Sequence, residues 1–373
     1  MFSAAWAITI AIATASPLAT WQLVDPIPHV FDVAGPRSDG KLVVAAGGKL
    51  VLLNPVSGAR EAFATGKGGY PGAGGEEPYI ALAGSSAGQA GFQPDDLFVL
   101  QLKPAGGVLR IDSAGISHHF ANVPGLDSLN GIAFDQTGAF GYRLLVTGPH
   151  SHHTTVAAID GEGAVSVITA QAPTVEGGLA VAPSTFGKYA GDLIAPDELS
   201  GKLYAIALDG TSQVVAAPNV AHGGDTGVES AGFIPDVDPA STTVYLADRG
   251  TPGNAHPGTD NLLALKGAEL ARAGAGRGDL LVATEGGAGL VAVRCDMTAC
   301  GVITIIADNG VSHGEGHVLV LAGAPSHAFG PAPAAVRSSS ASPVALQVGL
   351  IAGALVVLLA LVLGLTARRR TPG

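Results

Sequence analysis

Four oxygen-bearing side chains recur at similar intervals along the 373-residue chain, each directly before a short apolar run. They are Glu77, Asn130, Glu176 and Glu229, and the steps between them are 53, 46 and 53 residues. Carboxylate and amide oxygens are the ligands that hard divalent cations prefer, and Ca²⁺ accepts them in loose geometry. If the fold gathers these groups, their mutual repulsion favours a cation between them. The spacing therefore predicts a Ca²⁺ site.

The same four residues have a second, simpler explanation. Polar residues ahead of glycine are common in turns. Water at the mouth of a channel would also hydrate carboxylates without any metal. On the sequence alone, a metal site and a set of ordinary rim residues both remain open.

A repeat in the sequence indicates the elements that would position these side chains. A turn, an apolar strand, a Gly-containing turn and a second strand recur six times, with the first strands marked by Leu42, Leu97, Leu144, Leu193, Val244 and Leu280. Short strands repeating at about 50 residues are typical of four-stranded propeller blades. We therefore predict an all-β, six-bladed β-propeller, with seven blades as the alternative.

Two irregularities in the repeat carry predictions of their own. The last interval, from Val244 to Leu280, is only 36 residues, which predicts an eroded blade at that point. The final apolar run, from Gly314, is predicted to complete the first blade and close the ring, because a closed ring leaves no free sheet edge.

The propeller would bring the polar residues together at the channel. They precede the predicted innermost strands, in the phrases EEPYIAL, LNGIAF, VEGGLAV and VESAGFI. Innermost strands run alongside the central channel, so one mouth should collect the candidate metal ligands, which are Glu76, Glu77, Asn130, Glu176 and Glu229.

Two of these phrases resemble a known family. Gly75-Glu76-Glu77-Pro78 matches the G-E-x-P phrase, and Asn130-Gly131-Ile132 the N-G-φ phrase, of the six-bladed SMP-30/gluconolactonase and NHL-repeat propellers. The resemblance implies that Glu76 and Asn130 bind a metal and that the activity is lactone or ester hydrolysis. The position of the family's Asp base holds Glu176 or Glu229 instead, and no R-x-N-D-G phrase is present. Residues 177–193 also resemble secreted bacterial propellers of no assigned function.

The two ends of the chain predict its location. Residues 1–15 form an apolar run that ends in a small-x-small pattern, typical of a cleaved signal peptide, with an uncleaved anchor as the alternative. Residues 344–365 carry no charge over 22 positions, enough to span a bilayer, and Arg368, Arg369 and Arg370 follow them. We therefore predict a type I, single-pass protein of a bacterial cell membrane with its main domain outside the cytoplasm.

These features divide the chain into five predicted segments. They are a signal peptide at 1–15, a propeller ectodomain at 16–321, a Pro/Ala/Ser-rich stalk at 322–343, a transmembrane helix at 344–365 and a cytoplasmic basic tail at 366–373.

Charge and cysteine content restrict the partners and the compartment. The formal net charge is −11 and, apart from the three arginines of the predicted tail, no basic cluster is present, which argues against nucleic-acid binding. An acidic surface suits a cation, a basic partner or plain solubility. The two cysteines, Cys295 and Cys300, lie between two strand-like runs and are predicted to form a disulfide, as an oxidising compartment allows.

Histidines cluster in two places. One group is His150, His152 and His153, and the other is His313 and His317, which flank Glu315. Paired histidines bind zinc when a helix places them on one face. No helix is predicted at either place, so we expect surface histidines.

Two functions fit these features. The first is a binding or scaffold module at the cell surface, which uses one propeller face for a small molecule or a cell-surface protein. The second is a Ca²⁺-dependent hydrolase of lactones or esters, with a carboxylate at the channel mouth as base. We prefer the first, because the family's catalytic set is incomplete.

Overall fold

Strands dominate the part of the chain that the computed structural model describes, residues 18–103, 106–126 and 128–323. Within those residues, 24 strands form six antiparallel sheets of four. The first strand, β1 (Gln22–Pro26), joins the last sheet, whereas the next sixteen strands build four sheets in chain order.

These four sheets are blades 1 to 4, and each runs outwards from the channel in chain order. Blade 1 has β2 (Val30–Ala34), β3 (Leu42–Ala46), β4 (Lys49–Leu53) and β5 (Arg60–Phe63). Blade 2 has β6 (Ile80–Leu82), β7 (Leu97–Gln101), β8 (Gly107–Ile111) and β9 (Ser117–Asn122). Blade 3 has β10 (Gly131–Phe134), β11 (Leu144–His150), β12 (His153–Ile159) and β13 (Val165–Ala172). Blade 4 has β14 (Ala180–Val181), β15 (Leu193–Asp197), β16 (Lys202–Ile206) and β17 (Ser212–Ala216).

Blades 5 and 6 are interleaved in the sequence. Blade 5 has β18 (Val228–Phe233) innermost, followed by β21 (Leu280–Thr284), β22 (Leu290–Cys295) and β23 (Cys300–Ile306). Blade 6 has β24 (Gly314–Ala322) innermost, followed by β19 (Thr242–Asp248), β20 (Asn261–Lys266) and β1. A short helix, α1 (Gly267–Arg272), follows β20.

This interleaving corrects two of the predictions. The short interval between Val244 and Leu280 does not mark an eroded blade, because these residues lie in different complete blades. The run from Gly314 closes the ring, but as the innermost strand of blade 6 and not as part of blade 1.

The six blades form a closed ring. The innermost strands contact one another in the order β2, β6, β10, β14, β18, β24 and back to β2. The predicted six-bladed propeller is therefore confirmed. The innermost strands predicted after Glu77, Asn130 and Glu176 are also confirmed, and the one predicted after Glu229 includes Glu229 as its second residue.

The core lies between the blades. Six hydrophobic clusters fill the six interfaces between neighbouring sheets. Between blades 2 and 3, for example, the rings of Phe98 and Phe134 meet edge to face with centroids 5.5 Å apart. Each buried side chain of this size stabilises the fold by roughly 1.5–3 kcal/mol, so packing of blade against blade holds the ring together.

Both ends of the described chain take part in blade 6. The strand β1 is its outer edge and β24 its inner edge, so the ring is closed by pairing between distant parts of the chain. Trp21, just before β1, is 1% exposed, and its Nε1 donates to the carbonyl of Ala288 at 2.7 Å.

The disulfide is confirmed, whereas the membrane predictions stay predictions. Cys295 and Cys300 are bonded and join β22 to β23. In the described residues no helix is long and apolar enough to cross a membrane. The predicted signal peptide, transmembrane helix and tail, and the stalk beyond Gly323, lie outside the described residues.

Candidate functional site

One mouth of the channel collects acidic side chains from several blades. The innermost strands begin at this mouth and the second strands end there, because adjacent strands of a blade are antiparallel. We call this group the acidic mouth; its carboxyl groups are Glu76, Glu77, Glu176, Glu198, Glu229, Glu285 and Glu315, and its other members are Tyr79, Arg249 and His313.

Glu176 reaches this mouth through the two glycines that follow it. The backbone N–H of Gly177 donates to the carbonyl of Asn130, and that of Gly178 to the carbonyl of Glu229, both at 2.9 Å. Gly177 has φ of 84°, and a Cβ there would lie 2.2 Å from the carbonyl oxygen of Glu229. Only glycine fits such a position, so the VEGG phrase fixes the start of blade 4 between blades 3 and 5.

His313 lies at the centre of the acidic mouth. It is 2% exposed, and its Nε2 lies 2.9 Å from Oε1 of Glu285 and 3.3 Å from Oε1 of Glu315. The three potential ligand atoms of Glu285, His313 and Glu315 all lie within 4.8 Å of one another. Burial alone would lower the pKa of His313, but its hydrogen bonds to Glu285 and Glu315, and their charges, raise it to about 10.

A row of contacting carboxyl groups extends from this centre. Burial, followed by the charge of Glu198 and a hydrogen bond to it, raises the pKa of Glu176 to about 7. Burial and a hydrogen bond to Glu285 raise the pKa of Glu198 to about 7. Two carboxyl groups form a hydrogen bond only if one of them holds a proton, so this row needs protons or another positive charge.

Glu229 and Glu77 extend the group on the other side. Glu229 is 6% exposed and accepts a hydrogen bond from the hydroxyl of Tyr79. Burial, then the charges of Glu315 and Glu285, raise its pKa well above the usual value. Partial burial and the charge of Glu315 raise the pKa of Glu77 to about 7, although the positive charge of Arg249 lowers it in part. Solvent reaches 57% of the Glu77 side chain, which screens these charges.

Arg249 compensates part of this charge. Its Nη1 lies 3.1 Å from Oε1 of Glu315 and 3.8 Å from Oε1 of Glu77, and its Nη2 lies 3.0 Å from Oε2 of Glu76. Arg249 and protonated His313 supply two positive charges beside the seven carboxyl groups of the acidic mouth. Four of these groups, Glu198, Glu229, Glu285 and Glu315, are buried, and burying them as carboxylates is expensive unless they are protonated or bind a cation.

The five predicted metal ligands differ in their surroundings. Glu77, Glu176 and Glu229 lie within the acidic mouth and interact electrostatically with its other members. Glu76 lies at the rim, with its side chain 87% exposed. The amide of Asn130 donates to the carbonyl of Val175 at 3.1 Å and accepts from Thr147 Oγ1 at 3.0 Å, so it fastens blade 3 to the VEGG loop.

Four charged members of the mouth were not among the predicted ligands, although their positions in the blades can be recognised from the sequence. Glu198, Arg249 and Glu285 each follow the last residue of a second strand, β15, β19 and β21. Glu315 is the second residue of β24, as Glu229 is of β18. In blades 4, 5 and 6 the repeat therefore also places a charged residue directly after the second strand, and only the position at the start of the innermost strand was used.

The histidine predictions were right for one cluster and wrong for the other. His150, His152 and His153 are exposed around the tight turn between β11 and β12, as expected of surface histidines. His313 is buried, and His317 has a side chain only 14% exposed. Both belong to blade 6, and they point into the ring because β24 is an innermost strand.

His317 closes the middle of the channel. Its Nδ1 lies 2.9 Å from Oδ2 of Asp32 in blade 1, and its Nε2 lies 2.8 Å from the carbonyl oxygen of Ile132 in blade 3. Both neighbours are acceptors, so both ring nitrogens must carry protons. Around this level the backbones are close: a Cβ on Gly178 would lie 2.5 Å from the carbonyl oxygen of Gly316. The two mouths are therefore separate compartments.

Comparison with known proteins extends to the fold alone. No model of a protein family matches the sequence, and no curated protein is similar to it. A calcium-binding regucalcin from Agrobacterium tumefaciens matches with 13% identity over 80% of this chain and 81% of that one, at a TM-score of 0.45. A streptogramin B lyase matches with 12% identity over 79% of this chain and 75% of that one, at a TM-score of 0.42. Virginiamycin B lyase from Staphylococcus aureus matches with 15% identity over 79% of this chain and 90% of that one, at a TM-score of 0.41.

Proposed function

We propose that this protein is a membrane-anchored binding module of the bacterial cell surface that holds a divalent cation at its acidic mouth. The observation that supports the cation is the buried set of Glu285, His313 and Glu315, whose ligand atoms lie within 4.8 Å of one another. A cation there would replace the proton on His313 and neutralise carboxylates that are otherwise costly to bury. The predicted anchor at 344–365 would hold the propeller at the membrane.

The donor set bears on the identity of the cation. Ca²⁺, the ion expected from the sequence, prefers oxygen ligands only. One imidazole nitrogen with two carboxylates suits Zn²⁺ better, since imidazole is a common zinc ligand. We therefore propose Zn²⁺ as the preferred ion and Ca²⁺ as the weaker competitor. Such a cation would supply Lewis acidity at the channel mouth when bound.

The melting temperature of the full-length chain tests this proposal. After treatment with chelator, Zn²⁺ should raise the melting temperature, because a ligand at 100 times its Kd stabilises the folded state by about 2.7 kcal/mol. Glu285→Gln should abolish most of this rise. The matched control Glu162→Gln removes an exposed carboxylate from a surface turn and should keep it. An equal rise in both variants, or none in the parent, would refute the proposed site.

One observation favours hydrolysis as a second candidate function. Glu176 and Glu198 are in contact beside the proposed cation site, and each has a pKa of about 7. A carboxyl group with a pKa near neutrality is suited to general acid–base catalysis. A panel of lactones and aryl esters with the Zn²⁺-loaded protein tests this activity. The hydrolase would be established if the parent turns over a substrate and Glu198→Gln abolishes that turnover. Zn²⁺ should still raise the melting temperature of the Glu198→Gln variant.

A further inference from the structure

A cavity of about 870 Å³ opens at the mouth of the channel opposite the acidic mouth. The later parts of the innermost strands line it, and each blade contributes an apolar residue. These six are Val33, Leu82, Phe134, Val181, Phe233 and Val320. Because all six blades take part, the cavity lies on the axis of the ring.

The cavity has a closed floor. His317 forms part of its lining, and the same side chain is bound to Asp32 and to the carbonyl of Ile132. Both ring nitrogens are already engaged, so the floor offers no free hydrogen-bonding atom of this side chain. The cavity is therefore a blind pocket separated from the acidic mouth.

The charge of the lining restricts what can bind. Among the described residues of the lining, Asp236 is the one with a carboxyl group and His317 the one with a basic side chain. The charge of His317 is compensated by buried Asp32. Asp236 is at the rim with its side chain 81% exposed, and its Oδ1 lies 3.9 Å from Nη1 of Arg277. The interior thus offers no uncompensated charge to hold an ionic ligand.

Neutral polar groups are found on the loops that follow the innermost strands. They are Gln136, Thr137, Ser184 and Thr185, on the lining of blades 3 and 4, and Thr243 and Tyr245 of blade 6 also line the cavity. An apolar interior with a few hydrogen-bonding groups is the usual composition of a small-molecule site, and known sites span about 300–1,000 Å³. The volume of this cavity lies within that range.

We propose that this cavity binds an uncharged, mainly apolar small molecule. Its apolar part would occupy the space between the six innermost strands, and removal of that surface from water would drive binding. A hydroxyl or amide group of the ligand would face the polar loops of blades 3 and 4. This site is separate from the proposed cation site, and neither needs the other.

Photolabelling of the full-length chain in its membrane with benzophenone, a neutral apolar probe, tests the proposal. Labelling should be saturable and should map by mass spectrometry to peptides that contain the six apolar lining residues. Leu82→Trp and Val320→Trp fill the cavity from blades 2 and 6, where both side chains are only partly buried. Each should raise the half-saturating concentration at least tenfold.

The control places the same bulk outside the cavity. Val167→Trp lies on the outermost strand of blade 3, where the side chain is 52% exposed, and should label like the parent. An unchanged melting temperature identifies the variants that fold normally. Non-saturable labelling, labelling spread over exposed apolar residues, or no loss in either folded cavity variant would overturn the proposal.

Discussion

Asp32 and His317 form the most constrained polar contact of the channel. Asp32 is fully buried, and its carboxylate accepts hydrogen bonds from the backbone N–H groups of Ile80 and His317, each at 2.8 Å, besides contacting the His317 ring. Burial alone would lower the pKa of His317, but the charge of Asp32 and the hydrogen bonds to Asp32 and Ile132 raise it above 6.5. One ion pair thus connects blades 1, 2, 3 and 6.

The raised pKa of His317 predicts how stability depends on pH. The folded state holds this proton more tightly than the unfolded state, so the stabilisation is complete below the unfolded value near 6.5. It is lost as pH rises through the folded value. At pH 6, His317→Gln should lower the free energy of unfolding by about 3–5 kcal/mol, the usual cost of breaking a buried pair.

Chemical denaturation of the parent and of His317→Gln at a series of pH values measures this difference. The gap between the two proteins should be constant below pH 6 and should shrink as pH rises. A gap that does not change with pH would mean that the pKa of His317 is the same in the folded and unfolded protein, and a gap that shrinks as pH falls would mean that the folded protein holds His317 neutral.

Among the elements, β1 and β24 matter most, because their pairing with β19 and β20 closes the ring. The segment before β1 also holds blade 6 to blade 5. The N–H of Ala19 donates to the carbonyl of Ile305 at 2.8 Å, and Trp21 packs in the cluster between these two blades. Residues 19–21 are therefore part of the closure.

Trp21 should contribute much of the stability of this closure. Trp21→Ala removes a buried ring and should lower the free energy of unfolding by about 3–5 kcal/mol. Trp21→Phe should cost less, since it keeps an apolar ring but leaves the carbonyl of Ala288 without its donor. Leu18→Ala, in the same segment and 53% exposed, should change stability by no more than about 0.5 kcal/mol. Equal effects of Trp21→Ala and Leu18→Ala in denaturant unfolding would contradict this role.

The strands were predictable where local pattern decides them. The runs that begin at Leu42, Leu97 and Leu144 alternate with Gly turns and became second strands of consecutive blades. After Phe233 the chain leaves blade 5, forms two strands of blade 6 and then returns to blade 5. The sequence pattern could not predict this order, because β19 and β21 are both short apolar strands. Their assignment to blades depends on distant partners, β24 for β19 and β18 for β21.

For the whole molecule, the ring brings carboxyl groups from distant parts of the chain to one mouth. Glu77 and Glu315, separated by more than half of the chain, both contact Arg249. The spacing before innermost strands was enough to predict that Glu77, Glu176 and Glu229 share this mouth. It could not predict His313, whose burial follows from the position of β24 in blade 6.

Anomalous X-ray diffraction at the zinc edge, from crystals of the chelator-treated protein supplied with Zn²⁺, tests the central claim most directly. We expect a single strong peak bounded by Glu285, His313 and Glu315, with ligand distances of about 2.0–2.2 Å. The contrary result is the absence of a peak at the acidic mouth, with Nε2 of His313 still hydrogen-bonded between the two carboxylates.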